Sequence, residues 1–305
     1  MSKPLKWGLI LSLSIFIIGE GIGRYIGLIS YPLFYSSNKY EYLLKPNQST
    51  FIYHNKFITN EYSMRSLPIT KSDTNVVLLI GDSVVNGGNL IDHDSLSSTI
   101  LEKELSKSFK KKIRVLNISA KSWGPDNAAA FVKEFGLFKA DVVVLVVNSH
   151  DAYDNMTYKK VVGISPDYPD RNAVLAWQKI IEKGLPRLGL SANLSNQENH
   201  REQTIVIDTA FNSGFNYFKT ICYKKNISLI VYLHSEISEL QKKQLHPNGK
   251  EIIRYCSQNN IFTIIGLKKE TKNLYLDEIH FNNTGHRFLA NALYPAIYAK
   301  FHKEK

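Results

Sequence analysis

From residue 75 onward the chain repeats one pattern. A short, nearly continuous apolar run is followed by a longer stretch in which apolar positions recur every three or four residues. The apolar runs are VVLLI (76–80), IRVLN (113–117), VVVLVV (142–147), SLIVYL (228–233) and IFTII (261–265). They are rich in Val and Ile and bounded by turn residues, as strands of a parallel sheet covered on both faces are. Between them, SLSSTILEKEL sets Leu96, Ile100, Leu101 and Leu105 on one helical face, with Asp94 or Ser95 as its N-cap. NAAAFVKEF, FNYFKTICYKK and KEIIRYC predict further helices, and TGHRFLANALYPAIYAKF predicts a last one that Pro295 kinks or splits. Alternating β and α units predict a doubly wound α/β sheet, in which sites form at the carboxyl ends of the strands. The long polar stretch 152–203 reads as an insertion near that end, helical around Asn172–Lys183.

The first 73 residues follow a different pattern. Residues 7–19, WGLILSLSIFIIG, carry no charge; Lys3 and Lys6 precede them, and Glu20 and Arg24 follow. This run is short for a bilayer span, which needs about 20 residues, but apolarity resumes in YIGLISYPLF. The basic start fits either a signal peptide or an uncleaved anchor. The first alanine is Ala120, so no alanine-type cleavage site follows the run, which favours the anchor. The lysine end is then cytoplasmic and the rest exported, on the periplasmic side of an inner membrane. A buried helix of a cytosolic protein is the other reading. Glu20 and Arg24 lie four apart and can pair on one helix face. Residues 1–30 are thus the expected anchor, 31–73 a Tyr-rich extension and 74–305 the main domain. Within the extension, Pro46-Asn47-Gln48-Ser49 signals a turn, and FIYH with KFIT predicts a hairpin.

Composition narrows the function classes. The chain has 305 residues, 44% of them hydrophobic, enough for a sizeable core. Its net charge is +11, with lysines clustered at 107–112, at 268–272 and at the C-terminus. These clusters read first as solvated surface, with anionic headgroups or acidic glycans as possible partners. No nucleic-acid motif is present. Cys222 and Cys256 make no disulfide framework and are expected as two separate buried thiols. There is no Cys/His cluster, and neither a metal nor another cofactor is expected.

The chemistry rests on two short segments. Ser83 follows the first apolar run directly and so falls at the carboxyl edge of the sheet. Alone it is equally a turn or capping serine. A serine nucleophile needs a base, and LDEIHFNNTGH (276–286) places Asp277 three residues before His280, after the last expected strand. A carboxylate there can hold one ring nitrogen as N–H and leave the other to accept a proton; otherwise Asp277 caps a turn. Acyl transfer also needs donors for an oxyanion. NISAKSWGPDN (117–127) and NSHDAYDN (148–155) supply backbone N–H groups and polar side chains after the second and third runs. His234 ends the fourth run and either lines the cleft or is structural, and His286 is expected to be structural. Trp123 and Tyr153 flank the oxyanion segments and either touch a sugar ring or pack.

At these residues the chain resembles the SGNH hydrolases, also called the GDSL family. The motifs occur in order over residues 74–300: GDS at Gly81–Ser83, an N-x-S/G-x-x-G-like segment from Asn117, an N-D-like segment at His150-Asp151, and D-x-x-H at Asp277–His280. The first and last match well. In the middle two, the family's oxyanion glycine falls on Ser122, with Gly124 two further on. Its asparagine falls on His150, with Asn148 two residues earlier. The segment before the GDS motif is similar to that of membrane-anchored bacterial members at Pro46-Asn47, Asn60 and Met64-Arg65. The resemblance implies a three-layer α/β/α, flavodoxin-like fold and hydrolysis or transfer of acyl groups on esters. Ser83 would be nucleophile, His280 base and Asp277 its orienting partner. The Ser83 and Ser122 N–H groups and the His150 side chain would form the oxyanion hole, with Gly124 and Asp151 beside it. The expected function is a serine esterase removing acyl groups, acetyl among them, from a glycan or similar polar substrate. An O-acyltransferase of envelope polysaccharide using the same site is one alternative. A non-catalytic protein of polysaccharide biosynthesis machinery is another.

Overall fold

A computed structural model of the chain describes residues 2–187 and 210–302. Helix α1 (Lys3–Tyr25) leads into two antiparallel hairpins. The first pairs β1 (Phe34–Ser37) with β2 (Glu41–Leu44), and the second pairs β3 (Ser49–Ile52) with β4 (Asn55–Ile58). The second is the hairpin expected from FIYH and KFIT. Its turn residues Tyr53 and His54 both have positive φ (51° and 63°), the backbone twist that a two-residue hairpin turn demands. The first hairpin has no Gly or Pro signal in the sequence.

The five apolar runs all become strands, within two residues of their expected bounds. They are β5 (Val76–Gly81), β6 (Arg114–Ser119), β7 (Ala140–Val147), β8 (Ser228–Leu233) and β9 (Phe262–Ile265). Helices α2 (Ser83–Asn86) and α3 (Ser97–Phe109) follow β5, and α4 (Pro125–Phe135) follows β6. Helices α5 (Ala176–Arg187) and α6 (Ser213–Lys225) follow β7, α7 (Ile237–Lys242) and α8 (Pro247–Gln258) follow β8, and α9 (Asn283–His302) ends the fold. Every pairing in the sheet is parallel, in the order β6-β5-β7-β8-β9. The chain steps from β5 outward to β6, then crosses back to β7 on the other side. This is the flavodoxin-like order, with its switch point between β5 and its neighbours.

Alternation along the strands divides the core into two layers. Leu78, Ile80 and Leu145 pack with Phe131 of α4, Phe218 of α6 and Ile252 of α8. Val77, Leu79 and Val144 pack with Leu101 of α3 and with Leu289 and Leu293 of α9. The fold is therefore a three-layer α/β/α sandwich. The extension joins the first layer: Tyr40, Tyr42, Leu44 and Phe57 are buried in the same cluster as Phe131. Arg65 is wholly buried. Its guanidinium lies 3.6 Å above the Phe57 ring and donates to the carbonyls of Asn86 (3.3 Å) and Ile91 (3.0 Å).

Several local expectations change. The helix expected to be capped by Asp94 or Ser95 starts later, at Ser97, with Leu96 in the N-cap position. Residues His93–Ser95 instead form a 3₁₀ turn capped by Asp92, whose carboxylate accepts from Asp94 N (2.9 Å) and Lys56 N (2.8 Å). Helix α9 runs through Pro295 as one element rather than splitting. The insertion helix begins at Ala176, and residues 188–203 of that stretch lie outside the described residues. Cys222 and Cys256 are free and buried, as expected.

Two histidines, His93 and His286, are buried and form no ion pair among the described residues. His286 Nδ1 accepts from Ser97 N (3.3 Å), while its Nε2 and the Nδ1 of His93 have no partner among the described residues. Burial, with Arg65 nearby, pushes their pKa values down to about 3 and about 4. The unfolded chain, with histidines near 6.5, binds more protons than the folded one between those limits. Stability at neutral pH is therefore expected to fall as pH drops below about 6.5 toward 4. The double variant His93→Gln, His286→Gln should show a shallower decline of thermal midpoint over that range. An unchanged slope would contradict the assignment.

Candidate active site

Ser83 sits where the sheet hands over to the helical layer. Asp82 N-caps α2: its Oδ1 accepts from Val84 N (2.8 Å). Its Oδ2 accepts from Asn148 Nδ2 (2.9 Å), tying the carboxyl end of β5 to that of β7. Asn86 closes the short helix and donates to Ser119 O (3.1 Å) at the end of β6. Gly87 then turns the chain with φ +73°, in a space where a Cβ would meet Leu96 and Ile91. Ser83 itself is half-buried.

The segment expected to supply the base reaches it across 197 residues of chain. His280 Nε2 lies 2.9 Å from Ser83 Oγ. His280 Nδ1 lies 2.8 Å from Asp277 Oδ2 and 3.0 Å from Oδ1. Asp277 Oδ1 also accepts the N–H groups of Ile279 (2.9 Å) and His280 (2.8 Å), so one carboxylate folds the loop and orients the ring. Partial burial works against the Asp277 charge, but these backbone and ring N–H donors outweigh it and hold its pKa below the usual value. The arrangement fixes Nδ1 as donor and leaves Nε2 to take the Ser83 proton.

The loop is held from beneath by a buried ion pair. His234, at the end of β8, is wholly buried and does not line the cleft. Its Nδ1 lies 2.9 Å from Glu270 Oε1 and its Nε2 lies 2.7 Å from Ile279 O. A carboxylate and a carbonyl only accept, so both ring nitrogens carry protons and His234 is an imidazolium. Burial opposes that charge, but Glu270 and the Ile279 carbonyl raise the pKa of His234 above its ordinary value. Burial likewise opposes the Glu270 charge. His234, Tyr232 (2.7 Å) and Tyr275 (2.7 Å) donate to the carboxylate and lower its pKa. Ile279 is the residue before His280, so this pair supports the loop that carries the His280 imidazole. Glu270 escaped the sequence reading because it lies within the lysine run 268–272, read there as surface.

The middle motifs come out unevenly. Ser122 has φ +52°, the left-handed conformation that a glycine adopts without strain. The N–H groups of Ser83 and Ser122 have no hydrogen-bond partner among the described residues. The N–H of Gly124 is already committed to Asn127 Oδ1 (2.9 Å) at the start of α4, so Gly124 has none to offer an oxyanion. Asp151 is buried, and its Oδ2 accepts Asn148 N (2.7 Å), capping the turn that carries His150. It faces inward and not toward substrate. Asn148 is also buried and bound to Asp82, so it does not stand in for the family's asparagine.

His150 is partly exposed, with Nδ1 3.3 Å from Glu236 Oε1 and Nε2 3.8 Å from Asp151 Oδ1. Burial disfavours its charge, but Asp151, Glu236, Asp82 and Asp154 raise its pKa to about 10. The Glu236 carboxylate beside Nδ1 favours the protonated ring. Glu236 is shared with His246, whose Nε2 lies 3.9 Å from Oε2. Neither residue carries a motif in the sequence. Trp123 is buried and donates to Tyr42 O (3.0 Å), which makes it a packing residue. Tyr153 is half-buried and donates to Glu251. His286 is structural, as described above.

Removing one partner of the His234–Glu270 pair leaves a buried charge. His234→Ala is expected to cost about 3–5 kcal/mol in denaturant unfolding. It should also lower kcat more than it raises KM, because the loop carrying His280 loses its support.

No family model and no curated protein sequence matches the chain. Among solved structures it is similar to TesA, at 12% identity and a TM-score of 0.43, over 74% of this chain and 99% of that one. LAE5, an alpha/beta hydrolase enzyme from the metagenome of Lake Arreo, Spain, is 17% identical with a TM-score of 0.42, over 74% of this chain and 95% of that one. A lipase/acylhydrolase from Enterococcus faecalis is 14% identical with a TM-score of 0.43, over 74% of this chain and 96% of that one.

Proposed function

We propose that this chain is a serine esterase of the SGNH type, anchored in a membrane by α1, that removes acyl groups from a polar, glycan-like substrate. The observation that carries this reading is the line Ser83 Oγ–His280–Asp277, at 2.9 and 2.8 Å, at the carboxyl edge of a parallel sheet. His280 Nε2 takes the Ser83 proton as Oγ attacks the ester carbonyl. The carbonyl π electrons move to oxygen and form a tetrahedral oxyanion, held by the Ser83 and Ser122 N–H groups and the His150 imidazolium. Collapse expels the alcohol, which takes the proton back from His280. Water, activated by the same ring, then releases the acid and frees Ser83.

The rim around Ser83 supports a hydroxylated substrate. Asp277 is about half exposed beside His280, and the linked cluster His150–Glu236–His246 is partly exposed. Acetyl is the acyl group we take as the simplest one such a polar substrate carries. The anchor reading rests on α1, whose 23 residues include an 18-residue window of mean hydropathy 1.6 in which every residue keeps some exposure. Lys3 and Lys6 at its start support an orientation with that end in the cytoplasm and the catalytic domain outside.

Full-length protein in detergent is expected to release acetate from p-nitrophenyl acetate and from acetylated oligosaccharide. Ser83→Ala should lose at least about 10³-fold in kcat. A serine-directed fluorophosphonate should label the protein and fail on His280→Ala. Labelling absent from the native protein would overturn the enzyme reading. With oligosaccharide as acceptor, acylated sugar in place of free acetate would turn hydrolysis into transfer.

His150→Ala tests the oxyanion hole. Loss of one donor costs about 10²–10³-fold in kcat, with KM little changed. His150→Asn should recover part of it, because an amide also donates. Full activity in His150→Ala would remove this residue from the mechanism.

A further inference from the structure

Helix α1 does not leave the domain on a free linker. Its C-terminal half is docked on two sides. On one side, Trp177 of α5 stacks on Phe16 (6.0 Å between centroids, 10° between planes) and donates from Nε1 to Phe16 O (2.8 Å). The contact needs glycines, since a Cβ on Gly19 would lie 2.2 Å from the Trp177 ring and one on Gly23 2.4 Å from Ala176 Cβ. On the other side, the β3–β4 hairpin closes in. Tyr53 N donates to Ile26 O (2.7 Å), and the His54 ring meets the edges of Tyr25 (5.1 Å) and Phe51 (5.7 Å).

The one carboxylate of α1 is neutralised within this junction. Glu20 pairs with Arg24 (2.7 Å) and accepts the first two N–H groups of α5, from Ala176 (3.1 Å) and Trp177 (3.3 Å). Arg24 donates onward to Val174 O (2.8 Å). The uncharged run 7–19 is 13 residues, about 20 Å at 1.5 Å per residue, which is short of a hydrocarbon core about 30 Å thick. With Glu20 and Arg24 satisfied by each other and by α5, the lipid-compatible length extends to Tyr25, and the docked elements come down with it.

Those elements carry apolar side chains into solvent at the same level. Val174 is 76% exposed, Leu175 37% and Ile181 51% on the α5 side; Tyr25 is 74% and Phe51 45% on the hairpin side. Aromatic rings at the end of a span are the signature of the membrane–water interface. We propose that Val174, Leu175, Trp177, Ile181, Tyr25 and Phe51 form a collar seated in the outer interface of a phospholipid bilayer. The collar fixes the catalytic domain against the membrane at one height. The inference rests on reading α1 as the anchor.

The test uses the full chain in nanodiscs of phosphatidylcholine and phosphatidylglycerol. Nitroxide labels are placed through Val174→Cys, Ile181→Cys, Phe51→Cys, Leu11→Cys and Tyr223→Cys; the native Cys222 and Cys256 are each 1% exposed. Relaxation by oxygen, which concentrates in lipid, is compared with relaxation by an aqueous nickel chelate. Labels at 174, 181 and 51 are expected to behave as the label at 11 does, relaxed by oxygen and shielded from nickel. The label at 223 should show the reverse. Nickel access at 174, 181 and 51 with shielding at 11 overturns the collar and leaves the anchor standing. Nickel access at 11 as well overturns both. Shielding of 174, 181 and 51 from both probes means that protein covers the surface, and overturns the collar too.

Discussion

The contact between Ser83 and His280 depends on one constraint, that every strand of the sheet runs the same way. Parallel strands bring all their carboxyl ends to one edge, so the loops after β5, β6, β7 and β9 converge however far apart they are in the chain. The same constraint demands that both faces be covered, which the two apolar layers do. Side chains then lock the ends together. Asp82 binds Asn148, and Asn86 binds Ser119, so β5 is fastened to both of its neighbours within a few residues of Ser83. Ser83 is held in place because the residues beside it are hydrogen-bonded to the ends of two other strands.

The buried charges serve the same edge. His234 and Glu270 hold the Ile279 carbonyl and with it the ring of His280. Among the described residues Arg65 makes no ion pair; its guanidinium covers the Phe57 face and donates to the carbonyls of Asn86 and Ile91, while Nη1 has no partner. Burial lowers its pKa to about 9, still above neutrality. The extension thereby reaches the far end of the short helix that begins with Ser83. Met64-Arg65, conspicuous in the sequence but without a chemical role there, acts through this support.

Much of the fold was legible because its signals are local. A parallel strand buried on both faces must be apolar throughout, and the five runs therefore announce themselves. The Tyr25-side hairpin was readable from FIYH and KFIT, while β1 and β2 were not, since their turn lacks Gly or Pro and their aromatic residues pack on α4 rather than on each other alone. The N-terminus of α3 was misplaced because His93–Ser95 form a 3₁₀ turn of their own, capped by Asp92, and Ser97 N donates to His286 Nδ1 instead of to an Asp94 or Ser95 cap. In the site, Ser83, Asp277 and His280 were found from short strings. The Gly124 N–H is committed to Asn127 and the Asp151 side chain is buried, neither of which spacing along the chain reports.

By itself the sequence determined which segments are strands, which serine follows the first of them, and that a carboxylate and an imidazole three residues apart follow the last. These are properties of neighbours along the chain, and periodicity and spacing report them. Only the tertiary structure decided that His234 is an imidazolium, that His150 lies against Glu236, and that Glu20 caps a helix more than 150 residues away. Protonation and capping depend on desolvation and on partners brought near by folding. Those are set by distances through space, which no local pattern encodes.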